Sequence, residues 1–176
     1  MNSLFEFDYY RMIGQKYSGV KKYINLLLRY DLRYLKHLRG NPHSILYKVE
    51  SFRASRKYGL EILSHTIGPG LYIGHAHNIN VHPNVVIGKN CNLNKGCTIG
   101  RENRGVRQGA PILGDNCWIG SNAVVVGKIK IGNDVLIAPN AYVNFDVPDH
   151  SIVIGNPGII IYKDNATENY ISNPIE

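Results

Sequence analysis

Three histidines lie close together in one short stretch of the sequence, LYIGHAHNINVHPNVVIG, which runs from Leu71 to Gly88. They are His75, His77 and His82, out of seven histidines in a chain of 176 residues. A neutral imidazole can accept a proton near neutral pH or donate a ring nitrogen to a metal ion. The stretch therefore allows three interpretations: a metal site, one catalytic base beside two bystanders, or polar residues on turns.

A six-residue repeat surrounds this stretch. An aliphatic side chain recurs every six positions, with a shift of two residues after Ile73. A period of six matches neither an α-helix nor an alternating strand. It matches a short strand and a corner repeated around a three-sided coil, whose turns bury each other's apolar side chains; a sandwich of short strands is the alternative. The aliphatic positions are Ile67, Ile73, Val81, Ile87, Leu93, Ile99, Leu113, Ile119, Val125, Ile131, Ile137 and Val143.

The three cysteines all occupy one position of this repeat. Cys91, Cys97 and Cys117 each lie four residues after an aliphatic position, where most other turns have a small or β-branched residue. A thiol at such a tight corner behaves as a compact buried hydrophobe. The pattern therefore predicts buried thiols and argues against a disulfide, a metal site or an acyl-cysteine intermediate.

The positive charge of the chain is concentrated in its N-terminal third. Residues 1–60 carry twelve Lys and Arg against four Asp and Glu, a net charge of +8, whereas residues 61–176 carry eight against nine. No nucleic-acid-binding motif accompanies this charge, so no nucleic acid partner is expected. Because the chain shows neither a signal peptide nor an apolar run that could cross a bilayer, we expect a cytoplasmic protein. Its basic N-terminal helix would suit association with the inner face of the membrane.

Residues 1–58 lack the repeat and show helical spacing instead. One helix is predicted within residues 17–40, ended by Gly40, and a second within residues 43–58, ended by Gly59. We expect them to cap the open first turn of the coil. The predicted organisation is an N-terminal helical segment (1–58), a β-helix (59–160) with a protruding loop (101–111), and a C-terminal tail (161–176) that forms a final strand and then a mobile end.

The order of the motifs resembles a known family. The stretch IGPGLYIGHAHNINVHPNVVIGKNCNLNKGCTIG is followed by a loop, by PILGDNCWIGSNAVVVGKIKIGNDVLIAPNAYV and by DVPDHSIVIGNPG. Over residues 59–160 this is similar to the serine-acetyltransferase branch of the hexapeptide-repeat acyltransferases, and within it to short enzymes that O-acetylate bacterial capsule, exopolysaccharide or lipopolysaccharide sugars. The resemblance implies a mainly β fold, a left-handed parallel β-helix, and an acetyl-CoA-dependent acyltransferase without a metal. It also implies a homotrimer with active sites between subunits.

Two catalytic residues follow from the resemblance. The family's catalytic histidine comes directly after the residues GLYIG and therefore corresponds to His75. A hydroxyl is too weakly acidic to attack a thioester unaided, so the imidazole would act as general base, while backbone N–H groups of the Gly-rich turns would stabilise the oxyanion. The carboxylate that orients this histidine in related enzymes corresponds best to Glu61, fourteen residues upstream.

Zinc is the alternative for the other two histidines. The spacing of His77 and His82 matches a pair of zinc ligands in the trimeric hexapeptide-repeat carbonic anhydrases, and His43 is the candidate third ligand. His43 lies outside the repeat, however, and because of the two-residue shift His77 and His82 need not share a face. We therefore interpret His77 as a residue of the acceptor pocket, with a polar surface residue as the alternative. A non-catalytic scaffold that binds partners through its basic helices is a further hypothesis.

The repeat breaks a second time, at the segment GRENRGVRQGAP. This polar segment predicts a loop whose arginines bind CoA phosphates or an acidic acceptor: Arg101 at the cofactor, Arg104 and Arg107 at the acceptor. Serine acetyltransferases resemble DRHP near its end, where the Arg-His pair helps to hold the amino acid, but here Gly109 and Ala110 replace that pair. We therefore expect a carbohydrate hydroxyl as the acceptor, with serine as the alternative.

The predicted binding site for CoA rests on motif position alone. In the family, the pantetheine arm runs along a groove between adjacent subunits and bonds to backbone at the corners of the coil. Such contacts leave little side-chain signature in a sequence. The corresponding residues here are Gly100, Arg101, Gly120, Ser121, Ala138, Pro139 and Asn156.

Overall fold

The six-residue repeat folds as one short strand and one corner. The computed structural model describes residues 3–63 and 65–176, and its aliphatic positions from Leu93 to Val143 are at most 3% exposed. In most strands the residues next to the aliphatic position are more exposed, as in a half-buried strand, whereas all three residues of Asn92–Asn94 and of Val135–Ile137 are buried. The strands are β1 Glu61–Ile62, β2 Thr66–Ile67, β3 Tyr72–Gly74, β4 Asn80–Val81, β5 Val86–Ile87, β6 Asn92–Asn94, β7 Thr98–Gly100, β8 Ile112–Leu113, β9 Trp118–Ile119, β10 Val124–Val126, β11 Lys130–Ile131, β12 Val135–Ile137, β13 Tyr142–Val143, β14 Ser151–Ile154 and β15 Ile159–Tyr162.

The strands stack in parallel on three faces. Face 1 contains β1, β4, β7, β10 and β13; face 2 contains β2, β5, β8 and β11; face 3 contains β3, β6, β9, β12 and β14. Register is in phase with the repeat, because Val125 pairs with Ile99 on one side and with Val143 on the other. The chain therefore forms a β-solenoid of about five turns, and the predicted mainly β, parallel coiled fold with an N-terminal helical segment is confirmed.

The backbone conformation and close packing of the corners explain why Gly and Asn recur in the repeat. Asn122 and Asn140 have φ values of 58° and 61°, in the left-handed region that Asn tolerates better than most residues. Gly88 and Gly114 are needed for a different reason. A Cβ on Gly88 would lie 2.5 Å from the carbonyl oxygen of Gly114, and one on Gly114 would lie 2.8 Å from that of Gly132. Successive turns thus pack backbone against backbone at this edge.

The cysteines are buried between the turns, as the repeat predicts. Cys91, Cys97 and Cys117 are free thiols with no exposed surface. Burial raises the pKa of Cys97 to about 12, which leaves the thiol protonated and unreactive at neutral pH. Their role is to fill the solenoid core.

Four helices precede the solenoid, where the sequence predicted two. They are α1 Leu4–Ile13, α2 Lys21–Leu28, α3 Tyr30–Leu38 and α4 Ile45–Tyr58. α4 agrees with the prediction, with Gly59 as its left-handed C-cap, but α1 was not predicted. The single helix expected within residues 17–40 is divided at Arg29, whose φ and ψ of −109° and 107° are extended. Arg33 stabilises the break by donating to the carbonyl of Leu26 at 2.8 Å.

The break changes which apolar side chains are buried. Leu32 and Leu35 of α3 are fully buried, whereas Val20, Leu27 and Leu28 are 74–75% exposed. The apolar side chains of this segment are therefore divided between the core and the surface. Among the described helices, none combines the length and the apolar content needed to cross a bilayer. Association of this basic segment with a membrane surface stays a prediction.

The helices cap the first turn of the solenoid through buried charged groups. Arg39 donates to both carboxylate oxygens of Asp8, at 2.7 and 3.0 Å, and to the carbonyls of Ile67 and Gly68, each at 2.7 Å. Arg11 donates to the carbonyl of Gly70 at 3.1 Å. Since these carbonyls lie at the open end, the helices satisfy backbone groups that no further turn covers.

The C-terminal end differs from its prediction. β15 pairs antiparallel with β14, and the chain beyond it returns along face 3 with defined contacts. Asn90 exchanges two hydrogen bonds with Ile175, at 2.9 and 3.0 Å, and Tyr170 packs against Trp118 with ring centroids 5.0 Å apart. The expected mobile end is therefore a packed segment.

Candidate active site

His75 lies at the corner where face 3 passes into face 1, which we call the 3–1 edge. Five residues separate β3 from β4 at this corner, whereas three separate β6 from β7 in the next turn. The two-residue shift of the repeat is thus located here. His75 takes a φ of 50°, its side chain is exposed, and within the described part of the chain it makes no side-chain hydrogen bond.

The imidazole of His75 opens onto a cavity of about 430 Å³ between this corner and the junction of α2 with α3. That volume is within the range of small-molecule sites. The cavity combines apolar, aromatic and charged side chains. It is lined by Leu28, Arg29, Tyr30, Asp31, Tyr72, Ile73, Gly74, His75, Ala76 and Asn94.

The helix junction contributes an ion pair that the sequence analysis missed. Arg29 Nε donates to Asp31 Oδ1 at 3.2 Å, and its Nη2 donates to Oδ2. The carboxylate, hydrogen-bonded in this way, raises the pKa of Arg29. Tyr30 lies between the two charges, and its hydroxyl donates to the carbonyl of Ala76 at 2.8 Å. The pair and His75 therefore line the same cavity.

His77 holds the corner in place. Its Nδ1 lies 2.9 Å from the Tyr30 hydroxyl, and its ring packs edge-to-face against Tyr58 at 5.6 Å. Tyr58 in turn stacks on Tyr30 at 4.2 Å. His77 is not among the residues that line the cavity of His75 within one chain, and its predicted role in the acceptor pocket stays a prediction.

Glu61 lies on face 1, beside the strand that follows the corner. Its Oε1 accepts a hydrogen bond from the Ser55 hydroxyl at 2.6 Å, and its Oε2 accepts one from Asn80 Nδ2 at 3.1 Å. Among the described residues, no hydrogen bond joins Glu61 to His75. Both oxygens are already engaged, and the predicted orienting role of Glu61 stays a prediction.

The candidate zinc ligands are not brought together. His82 Nδ1 accepts a hydrogen bond from the backbone of Asn84 at 3.1 Å, which makes it a turn residue. His43 lies between α3 and α4, outside the solenoid. Within the ranges that the structure describes, no group of three or more His, Cys, Asp and Glu side chains is placed to hold a metal ion.

Most of the predicted CoA contacts lie on the same edge as His75. The corners of successive turns stack there: Gly120 N donates to the carbonyl of Ile137 at 2.8 Å, and Asn140 N to that of Ser121 at 2.9 Å. A Cβ on Gly120 would approach Pro139 N to 2.5 Å. Ala138 belongs to the same stack, and Asn156 lies in the turn between β14 and β15, so these residues form a column along the 3–1 edge.

Gly100 and the loop arginines lie on a different edge. β7 ends at Gly100, where face 1 passes into face 2, and the chain leaves the solenoid there. Arg101 and Arg104 are exposed, and Arg107 donates from Nε to Glu102 at 3.1 Å. Within one chain, none of these arginines lines the cavity of His75.

Known proteins that resemble this chain agree with the fold. Residues 110–144 match the family model for the bacterial transferase hexapeptide (six repeats). The chain is 36% identical over 100 residues to serine acetyltransferase of Staphylococcus aureus strain Mu50, over 57% of this chain and 47% of that protein. It is 32% identical over 110 residues to serine acetyltransferase 4 of Arabidopsis thaliana, over 62% and 31%. The matched part spans less than half the length of these relatives.

Solved structures of serine acetyltransferases are similar to this chain over a larger share of its length. Neisseria gonorrhoeae serine acetyltransferase in complex with serine is similar with a TM-score of 0.73 and 26% identity, over 90% of this chain and 67% of that one. A serine acetyltransferase in complex with CoA is similar with a TM-score of 0.61 and 25% identity, over 73% and 53%.

The match of residues 110–144 to the hexapeptide-repeat transferase model and the parallel β-solenoid confirm these two parts of the resemblance. Within that class, the similar proteins reported above are serine acetyltransferases. The expected carbohydrate acceptor, and the closer likeness to capsule and polysaccharide enzymes, are therefore wrong. That expectation depended on Gly109 and Ala110. These two positions show that one loop lacks the Arg-His pair, but they do not exclude other side chains that could bind an amino acid.

Proposed function

We propose that this chain is an acetyl-CoA-dependent serine O-acetyltransferase with His75 as general base. The observation that carries the proposal is the position of His75: an exposed imidazole at the top of a straight column of corners, facing a cavity of about 430 Å³. The serine acetyltransferases similar to this chain support the choice of acceptor. The similar structure in complex with CoA supports the choice of cosubstrate.

The reaction follows from the chemistry of the two substrates. The neutral imidazole of His75 accepts the proton of the serine hydroxyl while the oxygen attacks the thioester carbonyl of acetyl-CoA. The tetrahedral oxyanion is stabilised by backbone N–H groups of the corner. It then collapses, the C–S bond breaks, and the leaving CoA thiolate takes the proton back from the imidazolium. The products are O-acetylserine and CoA, and no acyl-enzyme forms.

The column of corners below His75 suits the pantetheine arm. With stacked strands about 4.8 Å apart, the corners at Gly120 and Ala138 lie about 10 and 14 Å below His75 along the solenoid axis. An extended arm laid on this column would point its thioester at the imidazole. Asn156, at the far end of the column, would then lie nearest the nucleotide.

A homotrimer would complete the site. His75 and the loop arginines lie on different edges of one solenoid, so they can meet only when one copy sets its 3–1 edge against the loop of the next. A cyclic arrangement of three three-sided solenoids repeats that contact around an axis. The basic loop would then reach the CoA phosphates from the neighbouring copy.

The proposal is tested by measuring CoA thiol release from acetyl-CoA with a panel of acceptors. We expect release with L-serine, with O-acetylserine identified by mass spectrometry, and release near background with glucose, galactose and their nucleotide-linked forms. Sedimentation of the same sample should give three times the chain mass. Release with a sugar and none with serine would contradict the proposal.

A further inference from the structure

The cavity of His75 contains two opposite charges that the proposed proton transfer does not use. Arg29 and Asp31 form a bidentate ion pair, and among the described residues that line the cavity they are the only charged side chains besides the titratable His75. From this juxtaposition we infer that Arg29 and Asp31 bind the carboxylate and the ammonium group of an amino acid acceptor. The inference rests on the proposed function and names the residues that would make the site specific for an amino acid.

The chemistry of the acceptor demands such a pair. Free serine is a zwitterion whose ammonium and carboxylate groups are attached to one carbon atom. A site that recognises it needs an anion and a cation close together, because a buried charge left without a partner is costly. Gly109 and Ala110 supply no such groups in this chain. The groups that fit lie at the helix junction, in the lining of the cavity.

The pair keeps capacity for a ligand. Asp31 is 15% exposed and Arg29 is 36% exposed, so both reach the open cavity. Arg29 uses Nε and Nη2 on Asp31, and within the described part of the chain its Nη1 has no hydrogen-bond partner. Asp31 Oδ1 also accepts from the backbone of Leu32 at 2.9 Å, which fixes the carboxylate. An ammonium group can donate to the remaining lone pair of Asp31 Oδ2 while a carboxylate binds Arg29 Nη1.

The position of the pair is set by the corner itself. Tyr30 lies between the two charges in sequence, and its hydroxyl bonds to Ala76, the residue after His75. The stacked ring of Tyr58 restrains Tyr30 further. The contact of Tyr30 with Ala76 therefore fixes the position of the two charges relative to His75. A site that orients the serine hydroxyl toward its base requires such a fixed position.

The inference predicts which part of the acceptor each residue recognises. The test compares L-serine with 3-hydroxypropanoate, which lacks the ammonium group, and with ethanolamine, which lacks the carboxylate. In Asp31→Asn we expect kcat/KM for serine to fall about 10- to 100-fold, since a hydrogen bond to a charged group is lost. The value for 3-hydroxypropanoate should change less than about 3-fold. In Arg29→Gln we expect the same fall for serine and little change for ethanolamine.

Arg33→Gln is the matched control. Arg33 stabilises the same helix junction through the carbonyl of Leu26 but does not line the cavity of His75. Arg33→Gln should leave the ratios of kcat/KM among the three acceptors unchanged. KM for acetyl-CoA should stay constant in Asp31→Asn, Arg29→Gln and Arg33→Gln. Equal losses on all acceptors, or no loss on serine, would overturn the inference while leaving the proposed function intact. A wild-type protein that does not acetylate serine would overturn both.

Discussion

The two interruptions of the six-residue repeat differ in what surrounds them. The first, between Ile73 and Val81, adds two residues to a corner that Tyr30 and Tyr58 pack against. The second, residues 101–111, leaves the solenoid, and Val106 at its tip is 96% exposed. A fixed corner suits a base that must meet a reacting atom, whereas an exposed basic loop suits a charged ligand that arrives from solution.

The largest effect should come from the fixed corner. His75→Asn removes the base but retains a residue that tolerates a φ of 50°, so the corner should keep its shape. We expect kcat to fall about 10²- to 10⁴-fold, with the binding of CoA measured by calorimetry unchanged. His82→Asn, on a turn beyond the corner, is the control and should retain full activity. Unchanged turnover in His75→Asn would show that His75 is not the general base. The contrast between the corner and the loop would then fail as well.

An intermediate effect should come from the exposed loop. Replacing Arg101, Arg104 and Arg107 together by Gln removes three charges that can bind phosphate. We expect KM for acetyl-CoA to rise about 10-fold, because exposed ion pairs contribute little each, with kcat nearly constant. Lys163→Gln, an exposed charge elsewhere, serves as the control. A fall in kcat with constant KM would instead assign the loop to the chemical step.

The smallest effect should come from Glu61, which lies on face 1 beside the strand that follows the corner. Its carboxylate bonds to Ser55 and Asn80, and Glu61→Gln keeps a group of similar size there. We expect kcat to fall less than about 10-fold, since the base is retained. A fall as large as that of His75→Asn would show that the carboxylate turns to His75 during the reaction, as the resemblance implies.

The sequence predicts the solenoid well because its signal is local. Each turn requires an aliphatic residue inside and, at the corner, a small residue or one that tolerates a left-handed backbone. The position of each strand from Leu113 to Val143 can therefore be counted directly from the sequence. The helices lack this redundancy. The apolar spacing that suggested one long helix continues through Arg29, whereas the break there is accompanied by contacts that the spacing does not show: Tyr30 with the carbonyl of Ala76 and Arg33 with that of Leu26.

The candidate site is predictable only in part for the same reason. His75 follows a local motif, and the two-residue shift marks its corner. Arg29 and Asp31 reach the cavity across more than forty residues of sequence, and no periodicity links them to it. The available signal is weak: two opposite charges flank a tyrosine within the apolar run LLLRYDL.

The contact between the two ends of the chain sets an order for folding during synthesis. Asn173 donates to the carbonyl of Arg11, 162 positions earlier, at 3.3 Å. The turns of the solenoid can stack one after another as the nascent chain leaves the ribosome, because each contacts only its neighbours. α1 gains its last partners only when residues 173–175 have been made, so this helix is fully packed only after the solenoid turns that separate the two segments.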